Sequence, residues 1–393
     1  MESVGQLIDF VERPSVTIQT SELERLFRSR TVLLTGAGGS IGSELSKQLA
    51  DIRPKQLVLA DMSEQNLYQL EQDLLRMHPS GSISFSLTDL RNQVATERLF
   101  YRYQPDIVIH AAAYKHVPMM ERHPAVAFEN NTLTTRRLVD LSEAHQVERF
   151  IFVSTDKAVE PTSVLGATKQ FSEWYVRAGT ASMRRSVVRF GNVFGSKGSV
   201  VPYFERCLQR GEPLCVTHPD MERYFMSVQG ACALILETLL LDGYPTFLLQ
   251  MGAPIRIEWL ARQIIQRFFP EDNPSDWIRY TGPRPGEKLH ERLTSTEESL
   301  RAVDHPNIVG VDGSPEWSRA DLRQMFDRIY AHLQDPTASE ESLRRAVLAL
   351  SNTADQTQTG RSIAGDGSTS TSSTGDDAAS PSTVLPRISP NGS

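Results

Sequence analysis

Thr35-Gly36-Ala37-Gly38-Gly39-Ser40-Ile41-Gly42 decides the fold. The apolar run Thr31-Val32-Leu33-Leu34 leads into it, and the helical pattern Glu44-Leu45-Ser46-Lys47-Gln48-Leu49-Ala50 leads out. A strand, a glycine-rich turn and a helix in that order gather unpaired backbone N–H groups and the positive end of a helix dipole at one point, which suits a pyrophosphate. Gly36 permits the tight turn, Gly39 lets phosphates approach the backbone, and Gly42 lets the helix pack close to the strand. With Ser40 and Ile41 these are the candidate cofactor-binding residues of the turn. A glycine pattern alone also fits a plain turn, so its surroundings matter. Val58-Leu59-Ala60-Asp61 reads as a second strand, its acid 19 positions after Gly42. A carboxylate there accepts hydrogen bonds from an adenosine ribose and repels a 2′-phosphate. Met62 and Ser63 bring no cation for such a phosphate. NAD is therefore the expected cofactor, with NADP the alternative.

The alternation continues outward. Strands are expected at 31–35, 56–61, 83–86, 106–110, 148–154 and 184–190, and helices near 41–51, 64–77, 92–103, 122–145 and 164–178. Strands this apolar, separated by helices, predict an α/β fold with a doubly wound parallel sheet. In such sheets ligands collect beyond the carboxyl ends of the strands. The expected organisation is an N-terminal docking segment (1–30) with short helices at 7–11 and 23–27, then a Rossmann domain (31–190). A substrate-binding part (191–350) follows, with helices near 256–268, 318–334 and 340–350 forming a small lid. From about Ser351 onward Ser, Thr, Gly, Asp and Pro dominate. Apolar residues there are too sparse to offset ordering entropy, so 351–393 is expected to be a disordered tail.

Composition narrows the function classes. The net charge of −7 over 393 residues provides no global basic field for nucleic acid or acidic lipid. Cys207, Cys215 and Cys232 show neither metal spacing nor a paired framework. They read as buried free thiols of a reducing, cytoplasmic compartment. There is no signal-peptide pattern, no run of the ~18 apolar residues that a spanning helix needs, and no internal repeat.

Several residues fall at the sheet's functional edge. Asp89, followed by Leu90, is placed to contact an adenine amino group or to cap the next helix. His110-Ala111-Ala112-Ala113 ends the fourth strand; its small residues suit a flat cofactor or a packing seam. Lys115 and His116 follow as candidate substrate contacts. Asn130-Asn131-Thr132 either caps or kinks its helix or ties the active-site strand in place. Ser154-Thr155-Asp156-Lys157 ends the fifth strand, putting an alcohol, an acid and an amine beside the cofactor site. Adjacent acid and ammonium groups hold each other's pKa in a range useful for proton transfer, although a surface ion pair has the same spacing. Lys169 lies one helical turn after Leu165. Arg189 to Pro202 is a glycine-rich loop suited to a second phosphate-bearing ligand, and Arg223 suits bidentate phosphate contact. Arg284 and Lys288 stand in another polar turn.

Four stretches together resemble the extended short-chain dehydrogenase/reductases that act on nucleotide sugars, and more narrowly the CapD-type UDP-N-acetylglucosamine 4,6-dehydratases. They are TGAGGSIGSEL (35–45), HAAAYKHVPMME (110–121), STDKAVEPTSVLGATK (154–169) and RFGNVFGSKGSVVPYF (189–204), supported by VTHPDMERYFM (216–226) and RPGEKLHE (284–291). The likeness runs from near Leu7 to about His290. Many members of that branch carry membrane helices and an extra domain before the catalytic part, and this chain resembles the catalytic half alone. The resemblance implies bound NAD(P), a UDP-sugar substrate, and transient oxidation at sugar C4. Lys157 would then remove the C5 proton, and Asp156 would protonate the departing C6 hydroxyl. Thr155 would bond near the C4 oxygen, and Lys169 would hold the nicotinamide ribose. Asn192 and Arg223 would grip the UDP portion. A homo-oligomer is the expected assembly. One departure stands out: the relatives' usual tyrosine, four positions before the lysine, is Leu165 here. That leaves deprotonation of the C4 hydroxyl to Lys169, Thr155 or a water.

Overall fold

A computed structural model describes residues 20–79, 81–179, 182–313 and 316–351. The expected helix at 7–11 and the expected tail from 352 onward lie outside these residues. Helix α1 (Thr20–Phe27) precedes β1 (Thr31–Thr35), and helix and strand then alternate through α2 (Ser40–Ile52), β2 (Gln56–Asp61), α3 (Glu64–Met77), β3 (Ile83–Leu87), α4 (Gln93–Tyr103) and β4 (Ile107–His110). Next come α5 (Val117–Met120), α6 (Pro124–Ala127), a π-helical turn (Phe128–Leu133), α7 (Thr134–Ala144), β5 (Arg149–Val153), α8 (Val164–Arg177) and β6 (Arg184–Arg189). The helix expected over 122–145 is thus broken. Pro124 opens α6, where a missing N–H costs nothing. The wide π turn brings Asn131 inward, where it accepts from the Tyr114 N–H (2.9 Å) and donates to the Tyr114 carbonyl (3.1 Å) and Thr168 Oγ1 (3.2 Å). Asn131 thus sits in the break of its helix and joins the loop after β4 to α8.

The later chain contributes β7 (Asn192–Val193), α9 (Val200–Gln209), β8 (Leu214–Val216), β9 (Glu222–Arg223), β10 (Phe225–Met226), α10 (Val228–Glu237), β11 (Thr246–Leu249), β12 (Ile255–Arg256), α11 (Ile257–Phe268), β13 (Ile278–Tyr280), β14 (Ser299–Ala302), β15 (Ile308–Asp312) and α12 (Arg319–Leu333). Residues 340–351 are also helical.

The main sheet has nine strands in the order β14-β15-β11-β6-β5-β4-β1-β2-β3. Neighbours from β11 to β3 run parallel, and β15 and β14 close the far edge antiparallel. The strand order reverses between β1 and β4, which opens a crevice above Thr35 and His110. Every residue of β1 is buried, as a strand covered on both faces requires. One face packs on α1, α2 and α10 through Leu23, Phe27, Leu45, Leu49 and Ile235. The other packs on α4, α7 and α8 through Phe100, Leu138, Phe171 and Trp174. Each such side chain contributes roughly 1.5–3 kcal/mol on burial. Ser63, Asn92, Ser163, Ser227 and Ser318 each accept a backbone N–H at the start of a helix, worth about 1 kcal/mol apiece.

The lid expectation is corrected in part. A third core, with Phe204, Leu214, Phe225, Leu260 and Ile264, joins α9, β8 and α11 over the crevice. The helices at 318–334 and 340–350 do not belong to it. Leu322, Phe326 and Val347 pack with Phe171, and the Phe326 ring lies 5.9 Å from those of Phe128 and Phe171. Their apolar side chains cover α8. Likewise β11, β14 and β15 extend the main sheet rather than the upper part. Among the described residues no helix is long and apolar enough to cross a membrane.

Candidate active site

A cleft of about 750 Å³ opens at the carboxyl ends of β1, β4, β5 and β6. Gly39, Ser40, Ile41 and Gly42 line one end, Ala111, Lys115 and His116 a side, and Thr155, Lys157, Leu165 and Lys169 the floor. Asn192, Arg223 and Arg284 line the wall beneath the upper core. Gly36, Asp61, Asp89, Leu90, Ala112 and Asp156 lie outside the lining. Another cavity, of about 240 Å³, sits among Arg149, Arg184 and Asp242 at the amino ends of β5 and β6. That is the end of a parallel sheet where ligands do not collect.

The glycine turn is built as its sequence requires. Gly36 has φ +71°, and a Cβ there would lie 2.6 Å from the Ala112 backbone. Ala112 therefore packs against the turn. A Cβ at Gly42 would fall on the Gly36 carbonyl oxygen. Gly39, the N-cap of α2, is extended and offers no side-chain cap, so the first N–H groups of α2 face the cleft unpaired by a side chain. Asp61 Oδ2 accepts the Gly38 N–H and Oδ1 the Ser63 N–H, both at 2.8 Å. Asp89 is gripped by Arg91 (Nε–Oδ1 3.0 Å, Nη2–Oδ2 2.8 Å), which holds its carboxyl below the usual range. It does not cap α4, because Asn92 does so, accepting from the Ala95 N–H (2.9 Å). Leu90 is buried, and its carbonyl accepts from Arg137 (2.7 Å). These residues fit a nicotinamide dinucleotide: an uncapped helix start for the pyrophosphate, and an acid at the end of β2 for a ribose.

One cation was invisible to this reading. Lys197 comes over from the loop after β7; its N–H donates to Ser40 Oγ (2.9 Å) and its Nζ to Asn66 Oδ1 (2.9 Å). Asn66 packs against Gly38, beside Asp61. A positive charge therefore stands at the first turn of α3, although Met62 and Ser63 supply none.

Behind the floor, Asp156 is fully buried. Its Oδ1 accepts from Thr155 Oγ1 and from Lys157 Nζ, both at 2.9 Å. Its Oδ2 has no hydrogen-bond partner among the described residues. It packs against Gly191, a cleft residue, where an added Cβ would lie 3.0 Å from it. Lys157 faces the cleft. Burial works against its charge, but the carboxylates of Asp156 and Glu291 more than offset this and hold it above the usual lysine range. The resting pair thus carries its proton on Lys157, the reverse of a lysine base beside an aspartic acid.

Lys169, by contrast, is lowered to about 7 by burial, which the more distant Glu173 only partly opposes. Its Nζ donates to the Val153 carbonyl (2.7 Å) and lies 3.8 Å from the centre of the Phe152 ring. Leu165, one turn earlier, is buried in the cleft floor and carries no titratable group. Asn192 Oδ1 accepts from Lys157 Nζ (3.4 Å), so its amide sits at the reacting end of the cleft. Arg223 is buried and donates to the Glu222 (2.6 Å) and Leu289 (3.2 Å) carbonyls. Arg284 is paired with Glu287 (2.6 Å) at the mouth. His116 backs onto Gly198, where a Cβ would lie 2.6 Å from its ring. Sequence reasoning missed Glu287 and Glu291 as well as Lys197; all three come from loops distant in the chain. It also took all three thiols as buried, whereas Cys215 is exposed and lines the cleft.

A profile of the polysaccharide biosynthesis protein family matches residues 32–312, most of the chain. The chain belongs to this family. It is similar to Bacillus subtilis EpsC, a probable polysaccharide biosynthesis protein, with 39% identity over 316 residues, 79% of this chain and 52% of EpsC. Staphylococcus aureus CapD is 37% identical over 74% of this chain and 49% of its own length. The chain thus spans about half the length of these two family members. A Campylobacter jejuni UDP-N-acetylglucosamine 4,6-dehydratase (inverting) is 30% identical, covering 74% of this chain and 84% of its own. Among solved structures, Pen from Bacillus thuringiensis superposes with a TM-score of 0.66 at 28% identity, over 77% of this chain and 98% of its own. The fold is that of the extended short-chain dehydrogenase/reductases.

Proposed function

We propose that the protein is a nucleotide-sugar 4,6-dehydratase of polysaccharide biosynthesis, acting on UDP-N-acetylglucosamine or a related UDP-hexose. The observation that carries this reading is the Lys157–Asp156 pair, 2.9 Å apart, with Lys157 on the cleft floor and Asp156 buried behind it. An epimerase moves a hydride off and back onto C4 and has no use for such a pair; elimination of water across C5 and C6 needs both an acid and a base.

A nicotinamide dinucleotide bound along the glycine turn would supply the hydride acceptor for C4 and the donor for C6. The residues divide the proton work. Lys169, partly neutral near pH 7, takes the C4 hydroxyl proton in place of the tyrosine that Leu165 replaces. The resulting 4-ketone acidifies the C5 proton. When the sugar fills the cleft and expels water, the buried ion pair loses solvation. The proton of Lys157 then passes to Asp156 across their hydrogen bond. Lys157, now an amine, takes the C5 proton. Asp156 gives its proton to the C6 hydroxyl, which leaves as water. The pair ends as ammonium and carboxylate, as it began; when the hydride returns to C6, C5 takes back a proton, and the one that Lys169 drew from the C4 hydroxyl is its source, so no proton is gained or lost overall. Thr155 orients Asp156, and Arg223 and Arg284 hold the diphosphate and its ribose.

Structural neighbours determined with NAD support a nicotinamide cofactor; Lys197, bonded to Asn66, gives NADP a counter-charge that Met62 and Ser63 do not. Incubation with UDP-N-acetylglucosamine and either cofactor tests the reading. A UDP-4-keto-6-deoxy-hexosamine seen by NMR supports it, and unaltered sugar in the presence of cofactor-loaded protein contradicts it.

A further inference from the structure

Glu291 is distant in the chain from the helices and strands that form the cleft floor, yet its carboxylate reaches the floor. Its side chain is 4% exposed, with Oε1 at 3.6 Å from Lys157 Nζ and 3.8 Å from Arg223 Nε. Both distances exceed a hydrogen bond. Oε2 has no hydrogen-bond partner among the described residues. A buried carboxylate so poorly bonded is costly to keep, and the fold does not need it to hold its own segment. The Leu289 carbonyl already accepts from the Glu222 N–H (3.0 Å) and Arg223 Nη1 (3.2 Å). Lys288 Nζ already donates to the Val159 carbonyl (2.7 Å). A separate cavity of about 80 Å³ lies behind Lys157, lined by Lys157, Arg223, Lys288 and Glu291. Lys157, with Val117, Arg223 and Glu287, therefore borders both this cavity and the sugar cleft.

We propose that Glu291 is a positioning residue for Lys157, a second carboxylate that brackets its ammonium opposite Asp156 and keeps the pair supplied with its single proton. The proposal rests on the reading of Lys157 as a catalytic residue and adds a member to that site. The charged groups facing Lys157 are Asp156, Glu291, Arg223 and Lys288, and the neutral Asn192 amide accepts from it. Burial is the largest influence on Lys157 and opposes its charge. Asp156 and Glu291 together overcome it, while Arg223 works against them. With Glu291 neutral, burial and Arg223 face Asp156 alone. Lys157 then loses its proton at lower pH, and the pair can no longer protonate the leaving hydroxyl.

The test is the pH profile of turnover by the full chain with cofactor and UDP-hexose. The wild type should rise through the Lys169 titration near pH 7 and stay level well into the alkaline range. Glu291→Gln should leave the rising limb in place and bring the falling limb down by about one unit, the low end of what one neighbouring charge does. Cofactor affinity, measured by fluorescence titration, should not change. Glu291→Asp should move the limb the same way by a smaller step, and it carries the test if Glu291→Gln does not fold. Lys157→Ala is measured alongside. If Lys157→Ala abolishes turnover while neither Glu291 variant moves the falling limb, the assignment of Glu291 is wrong and the role of Lys157 stands. If Lys157→Ala turns over normally, the underlying reading fails and this one with it.

Discussion

Replacing Lys169 by methionine should stabilise the protein near neutral pH and abolish its turnover, and the pH dependence of the gain is the diagnostic. Methionine keeps the length of the side chain and removes the amine. Lys169 is 5% exposed, and burial lowers its pKa from 10.5 to about 7. A lysine lowered in this way is protonated in the unfolded chain but largely neutral in the folded one. Between the two pKa values the unfolded state therefore binds more protons, and stability rises with pH. Folding with this lysine costs about 4 kcal/mol at a pH of about 7, and about 2 kcal/mol at a pH of about 9. The lost bond to the Val153 carbonyl, 2.7 Å long, works the other way by about 1 kcal/mol at every pH. Lys169→Met should thus exceed the wild type by a few kcal/mol near pH 7, and the gap should narrow by about 2 kcal/mol by about pH 9. Urea unfolding of both proteins at several pH values measures it. A gap that stays constant across that range would refute the lowered pKa, and with it the choice of Lys169 as the C4 base.

Other outcomes follow from the same geometry. Asp156→Asn and Lys157→Ala should each reduce turnover by at least about a hundredfold, with cofactor affinity unchanged in equilibrium dialysis. Gly191→Ala places a Cβ 3.0 Å from Asp156 Oδ2 and 2.9 Å from the Tyr224 Cβ; it should lower kcat more than it raises KM, and a normal kcat would remove the proposed approach of Asp156 past Gly191. Lys197→Ala should weaken NADP binding about fivefold, the value of one exposed ion pair of about 1 kcal/mol, and leave NAD binding unchanged in the same titration. Gly42→Ala drives a methyl group into the Gly36 carbonyl and should cost about 1–3 kcal/mol in urea unfolding.

The parts of this molecule that the sequence makes legible are the local ones. Thr31 to Gly42 folds as read because a buried strand, a positive φ at Gly36 and a helix start are decided within a dozen residues. The same holds for the strand–helix alternation that produces the parallel sheet. The direction of Asp156 was not legible: spacing puts it at a strand end, but only its bonds to Thr155 and Lys157 turn it away from the cleft lining. Lys197 and Glu291 were harder still, since they meet Asn66 and Lys157 across separations of 131 and 134 residues, and no periodicity carries such pairings. The antiparallel edge of β15 and β14 and the packing of Phe326 on α8 were hidden for the same reason. A short apolar run does not announce which sheet or core will accept it. Cap chemistry at Asp89 misled because Asn92, three residues on, competes for the same helix start.

The central claim is that the Lys157–Asp156 pair expels water from a transiently oxidised hexose. Mass spectrometry of the UDP-sugar recovered from cofactor-loaded protein tests it most directly. The account predicts a product lighter than UDP-N-acetylglucosamine by one water, absent with Lys157→Ala. Recovery of a sugar of unchanged mass only would contradict it.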